Sequence, residues 1–477
     1  MLAIFRINDP LRLLLAAAIF LLLRLGWYYY TGLPATGNTL MLQLVGERMA
    51  EGKKMYVHIW ENTPPLSAGV AWLMHLLFGR SLFAYQLFGA ILVIVQAGIF
   101  NKLALRYNLY NEKNYLPALF YCLFTLVSFD TATLSPPLLA ATPLLLMLSY
   151  LLQLRDRVSN EGLFTIGVYA GIAILFYYPT VVFVFFALLA SILLRSLSPR
   201  QLFIMVLGSL FVCLIITTYY YYYTGNIEEL FQNYWLTLLL PERFLLAPPL
   251  LILLLGVPSI SLLLAVLKVY SSNMYFINFQ QTVHNIMLLW LLLVVAAVFL
   301  SAGGFSGNAV VLLAPPYAFF ITHYFLLLPK KWVVEATAVL LMLALPTVGW
   351  LALSQAAKLP DSLKYSYVLP QKPLPLPKEA QRILVLDNRW QYYYGRQQAT
   401  PYLRPELAVA HLQQLDKYAI AQAVYLNIVA DMPDLIIAQT ATGSEMHLFK
   451  RLPVLQQWYR ALPQYPDFYY RQPLPKQ

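Results

Sequence analysis

By its apolar and polar positions, the chain divides near residue 353. Before that point, apolar runs of roughly 20 residues follow one another, the length that crosses a bilayer as a helix. Eleven such runs are predicted, at 13–30, 81–105, 115–129, 135–153, 163–178, 179–195, 201–219, 245–267, 286–301, 308–328 and 332–353. A long polar connection, 31–80, separates the first two, and GNTLMLQLVGERMA within it predicts an amphipathic helix. Glu47 is expected on the exposed face of that helix, paired locally with Arg48 or with the neighbours of Glu51. After 353 the pattern becomes a proline-spaced, extended linker over 354–380, with the stretch KLPDSLKYSYVLPQKPLPLPKEA. Residues 381–477 then read as a small α/β domain held on that tether. ILVL and DLIIAQ predict buried strands, MHLFKRL a third strand, and PELAVAHLQQL a helix.

Composition sharpens this picture. Of 477 residues 60% are hydrophobic and 11% charged, with a mean hydropathy of +0.63. A soluble fold of this length could not hide so much apolar surface, so most of it must face lipid or other membrane helices. The net charge of +11 does not signal a nucleic-acid partner, because the basic residues sit in short clusters between apolar runs. Arg6, Arg12, Lys102, Arg106, Lys113, Arg155, Arg157, Arg195, Arg200, Lys268, Lys330 and Lys331 fall on one side of an eleven-span arrangement. The other connections, 31–64, 131–136, 224–243 and 301–307, are longer or balanced by acids. The positive-inside rule then places the N-terminus in the cytoplasm, and an odd span count places the C-terminal domain outside. The fold class expected is a polytopic α-helical membrane protein with a small extracytoplasmic α/β domain. MLAIFRINDPLRLLL has no small-residue cleavage site after it and reads as a retained first span. Cys122 and Cys213 both lie in apolar runs, which excludes a disulfide framework. No internal repeat is visible and mid-membrane charges are nearly absent, so a transporter is the poorest fit.

The polar connection carries the most chemistry. YVHIWENTPPL, residues 56–66, places a histidine, a tryptophan, a glutamate and an asparagine before two prolines. It resembles the first external loop of the C superfamily of membrane glycosyltransferases, the group of protein O-mannosyltransferases and aminoarabinose transferases. There an acidic pair opens an amphipathic helix, a segment like YRDFWDNKPPL follows, and a further helix ends in LFG. Tyr56, Trp60, Asn62, Pro64, Pro65 and Leu66 coincide with that form, as does LFG at 77–79. RILVLDNRWQYYYGRQQATPYL and MPDLIIAQ look like strands of the extracytoplasmic domain in bacterial members. The resemblance implies transfer of a sugar from a polyprenyl-phosphate donor to an extracytoplasmic acceptor, in a multi-pass protein of the bacterial inner membrane with a periplasmic domain. It also implies no nucleotide sugar and no cofactor. Three departures stand out: the loop acid falls near Asn38, the acid often found at the outer start of the fourth span gives way to Ser135 and prolines, and the lysine before the proline pair becomes Thr63. An asparagine accepts no proton at useful pH.

Candidate residues follow from that chemistry. Glu61 and His58, three apart, are expected to share a pocket if the segment folds back as a tight turn, with Asp130 as a second acid at a span boundary. For the phosphate, Arg24 within the first span, Arg243 in LLLPERF and Arg80 after LFG are the candidate cations, an alternative for Arg24 being a pair with Glu61. Tyr56, Trp60 and Asn62 complete the candidate wall. The tyrosines at 219–223 read as interfacial anchors, a share of which could stack on sugar. His75, His284 and His323 read as interior histidines. The sequence contains no HExxH, Cys/His spacing or outer-loop DxD, so no tightly held metal is expected. The expected partners are membrane lipids and a polyprenyl-phosphate-linked sugar. The second reading is a non-catalytic relative, a lipid-binding or scaffold subunit with protein partners in the envelope.

Overall fold

Apolar segments become helices at all eleven predicted positions, since a backbone away from water must satisfy its polar groups internally. The computed structural model describes the chain except residues 1, 33–34, 226, 237–241, 273–275, 301–305, 354–359, 370–373, 375, 377–379, 400, 439–445, 463–464 and 473–477. Among the described residues, eight helices are long and apolar enough to cross a membrane: Leu11–Tyr29, Leu82–Arg106, Pro136–Gln153, Pro199–Thr224, Pro248–Ser271, Asn278–Ala297, Gly307–Leu327 and Lys331–Ala352. The chain is thus a multi-pass membrane protein, but three expected spans are shorter helices. Leu116–Phe124 has 9 residues, all buried, and rises roughly 14 Å, half a bilayer. Asn160–Phe176 and Tyr178–Leu194 are two pieces because Tyr177 is extended just ahead of Tyr178–Pro179.

The connection between the first two long helices builds a platform on one end of the bundle. Thr36 caps the helix Gly37–Ala50, accepting from Thr39 N, and the chain turns at Gly52 with φ of 85°. This helix lies against Pro65–Phe78 so closely that a Cβ on Gly46 would fall 2.3 Å from the Ala71 carbonyl oxygen. Pro64 is extended and Pro65 opens the second helix, as the proline pair predicts. The first helix is not amphipathic with a free face. Glu47 is buried and paired with Arg80, because the platform is covered on both sides.

Its cover is the C-terminal sheet. Strands β1 (Arg382–Val385), β2 (Gln397–Gln398), β3 (Leu435–Ile437), β4 (Tyr459–Leu462) and β5 (Tyr465–Arg471) stand in the order β2-β1-β3-β5-β4. The β1 pairings with β2 and β3 are parallel and the others antiparallel. Strand alternation explains the unbroken apolar runs. Ile383, Val385, Leu435 and Ile437 join the core shared with the bundle, whereas Leu384 and Ile436 face the core of the domain's own helices. MHLFKRL is not a strand: it forms the helix Met446–Arg451, with Leu448 and Phe449 buried in that second core, and β4 and β5 come after it.

Nor does the sheet hang on a free tether. Leu369 N donates to Ala35 O at 2.8 Å, Gly37 N to Tyr367 O at 2.9 Å, and Trp60 N to Pro401 O at 2.8 Å. Arg48, fully buried in the platform helix, pairs with Glu51 and reaches Asp431 of the domain at 3.3 Å, where Lys53 adds a contact at 3.0 Å. Removing one partner of such a pair strands a buried charge. Asp431→Ala is therefore expected to cost about 3 kcal/mol and to speed proteolysis within 354–380. Unchanged cleavage and melting would rule out the clamp.

Candidate functional site

Between platform, bundle and sheet lies a cavity of about 440 Å³. The segment 56–66 reaches it by a strained turn. Tyr56 adopts φ of 67°, rare for a residue with a side chain. Its amide donates to Ile59 O at 3.0 Å and its hydroxyl to Thr63 O at 2.6 Å. Its ring packs against Tyr220 and Tyr234, 5.4 and 5.0 Å between centroids, while Asn233 donates to its carbonyl at 2.7 Å. On the other flank Trp60 rests edge-on against Tyr402 and His411. These two aromatics are anchors, and neither lines the cavity. What they aim into it is Glu61, followed by Asn62, Thr63 and Pro64.

Glu61 is buried. One carboxylate oxygen accepts from Asn62 N at 3.1 Å, and the other, Oε2, has no hydrogen-bond partner among the described residues. Burial pushes its carboxyl above the usual range, against the pull of Arg404 and Arg243. Both arginines line the same cavity. Arg243 donates through Nη1 to Leu403 O at 3.3 Å, but its Nε and Nη2 are buried without hydrogen-bond partners among the described residues. Arg404 opens the helix Pro405–Leu412, 2% exposed, and donates to Glu406 at 3.2 Å. A second carboxylate, Glu242, accepts from the Tyr177 and Ser306 hydroxyls, and burial raises it too. Asn38 Nδ2 and Asn308 Oδ1 are further buried lining atoms with no hydrogen-bond partner among the described residues. Buried polar atoms are nearly always satisfied, so such a concentration marks a place built for a polar ligand.

Of the residues chosen from sequence, Asn38, Glu61, Asn62 and Arg243 come together here. His58 does not: it is exposed behind the turn, its Nδ1 accepting from Lys54 N at 3.1 Å, because a four-residue turn sends it away from Glu61. Arg24 is also elsewhere, buried with its guanidinium on Tyr28 and on Gln86 O at 2.8 Å; it pairs with no loop carboxylate. Arg80 is spent on Glu47. None of the tyrosines at 219–223 lines the cavity. His284 and His323 face one another at 3.3 Å, in keeping with an interior role. Glu242, Arg404, Tyr177 and Asn308 were not foreseen; Glu242 stands beside Arg243 in PER, an acid–base pair in a chain with few charges.

Asp130 sits one layer behind the wall. It is fully buried, accepts from Tyr367 Oη at 2.5 Å, and lies so near Gly307 that a Cβ there would fall 2.2 Å from Oδ2. Burial raises its carboxyl to about 6, opposed by the Tyr367 and Thr36 hydroxyls. A folded value above the unfolded one means stability fully present below the unfolded pKa and lost as pH rises through about 6. Asp130→Asn should therefore flatten that slope, a relative change on the order of 3 kcal/mol between pH 3.5 and 7. Parallel thermal-melting curves for the two proteins would refute this.

No family model matches the chain, and no curated protein matches it by sequence. Among solved structures it is similar to ArnT from Cupriavidus metallidurans bound to undecaprenyl phosphate, at 15% identity over 68% of this chain and 62% of that one, with a TM-score of 0.48. It is also similar to the Archaeoglobus fulgidus oligosaccharyltransferase AglB in complex with an inhibitory peptide and a dolichol-phosphate, at 12% identity over 96% of this chain and 74% of that one, TM-score 0.48. The chain spans 62% of the length of the ArnT structure it matches.

Proposed function

We propose that the chain is a membrane glycosyltransferase that moves a sugar from a polyprenyl-phosphate donor to an acceptor on the extracytoplasmic side. One observation carries this: the unpartnered, buried Oε2 of Glu61 shares a cavity with the unpartnered Nε and Nη2 of Arg243. An anionic headgroup and a proton-bearing nucleophile would satisfy both. The basic clusters at the opposite ends of the helices support a cytoplasmic N-terminus and a periplasmic cavity in a bacterial inner membrane. The division into a bundle (1–353), a connection (354–380) and an outer domain (381–477) belongs to the same reading.

In this mechanism Arg243 and Arg404 hold the donor phosphate, by charge-assisted hydrogen bonds that suit a phosphate's geometry. The acceptor hydroxyl gives its proton to Glu61 Oε2 as its oxygen bonds to the anomeric carbon. The bond from that carbon to the phosphate oxygen breaks, and the electron pair leaves on the carrier phosphate, where the guanidinium groups stabilise it. Asn38, standing where the resemblance puts an acid, contributes a hydrogen bond and no proton transfer. That substitution favours the second reading, a subunit that binds the carrier without turnover. Membranes containing the protein, given a polyprenyl phosphate labelled in its sugar, decide between them. Transfer of label to endogenous acceptor supports the enzyme, and label that stays on a bound carrier supports the scaffold.

A further inference from the structure

Among the described residues four charged side chains line the cavity, two carboxylates and two guanidinium groups, and they are not equivalent. Glu242 is occupied by the Tyr177 and Ser306 hydroxyls, whereas Glu61 presents an oxygen with no donor on it among the described residues. Resting on the transfer reading above, we infer that the proton taken from the acceptor remains on Glu61 beside the departing carrier, so that a prenyl monophosphate binds this protein together with one proton.

Charge conservation makes the case. With a monoanionic phosphodiester donor, two ionised carboxylates and two arginines sum to a net charge of about −1. Transfer converts the diester to a monoester dianion and delivers the acceptor's proton to Glu61, which leaves that sum unchanged. An ionised, acceptor-only carboxylate repels a phosphate oxygen, but a protonated one donates a hydrogen bond to it. The groups facing Glu61 are Arg243, ahead of the helix Pro248–Ser271, Arg404 and Glu406 at the start of Pro405–Leu412, and Tyr56 in its own turn. None of the four needs to change protonation for the carboxyl to do so.

The test is calorimetric titration of farnesyl phosphate into the purified full chain at pH 8, where the phosphate monoester is already a dianion. Heats measured in two buffers of different ionisation enthalpy should show about one proton taken up per lipid, and affinity should fall about tenfold from pH 7.5 to 8.5. Glu61→Gln should abolish both the uptake and the slope, and Glu242→Gln should keep them. Wild-type binding without proton uptake, or uptake that survives Glu61→Gln, overturns this inference and leaves the transfer reading standing. If the wild-type protein binds no farnesyl phosphate, both fall together.

Discussion

Glu61→Gln should lower sugar transfer by about 10²–10⁴-fold, the usual contribution of a positioned general base, while leaving the protein folded. The substitution keeps the shape and removes the only function that the mechanism asks of Oε2. Stability should move the other way. Because burial holds the Glu61 carboxyl above its ordinary range, its contribution is intact at low pH and lost as pH rises through the folded value. Above that value the wild-type protein carries a buried charge that glutamine lacks, and there the variant should melt higher. At pH 4 the difference should vanish. A variant with full activity would eliminate Glu61 as the base, and one that melts lower at pH 7 would mean its carboxylate is structurally paired.

Arg243→Gln should have the second-largest effect, this time on the carrier. Two of its guanidinium nitrogens are buried without partners among the described residues, and hydrogen bonds to a charged group contribute about 1.5–3 kcal/mol each. Affinity for a prenyl phosphate should drop about 10- to 100-fold, read from competition with labelled donor. Arg243→Lys keeps the charge but not the planar fork, so it should recover only part of the loss. If glutamine at this position leaves carrier affinity intact, the phosphate lies elsewhere and the cavity's assignment fails with it.

Much of the bundle was legible because a helix in lipid has one rule, apolar side chains over a sufficient length. The rule over-counts where a run is apolar for another reason. Leu116–Phe124 is oily because it is walled in by other helices, and nothing in its composition separates that from contact with lipid. The strands β1 and β3 were readable as continuous apolar runs, being covered on both faces, while MHLFKRL was too short for its period to distinguish a strand from a helix.

The site was half legible. Glu61 and Asn62 stand out because a proline-locked polar segment between oily spans requires a reason, and Asn38 because it stands where the resemblance puts an acid. Proximity in the chain groups His58 with Glu61, but the left-handed turn at Tyr56 sends them to opposite sides. Glu242 and Arg404 come from the connection before Pro248–Ser271 and from the sheet domain, far from residue 61 in sequence. Only the docking of that domain, through Arg48, Asp431 and the backbone pairing at Trp60, brings Arg404 to the cavity that Glu242 lines. Local pattern could therefore specify helices, prolines and a reactive loop, since each depends on near neighbours. The charge balance of the cavity depends on contacts between distant segments, and those exist only once the outer sheet has closed over the platform.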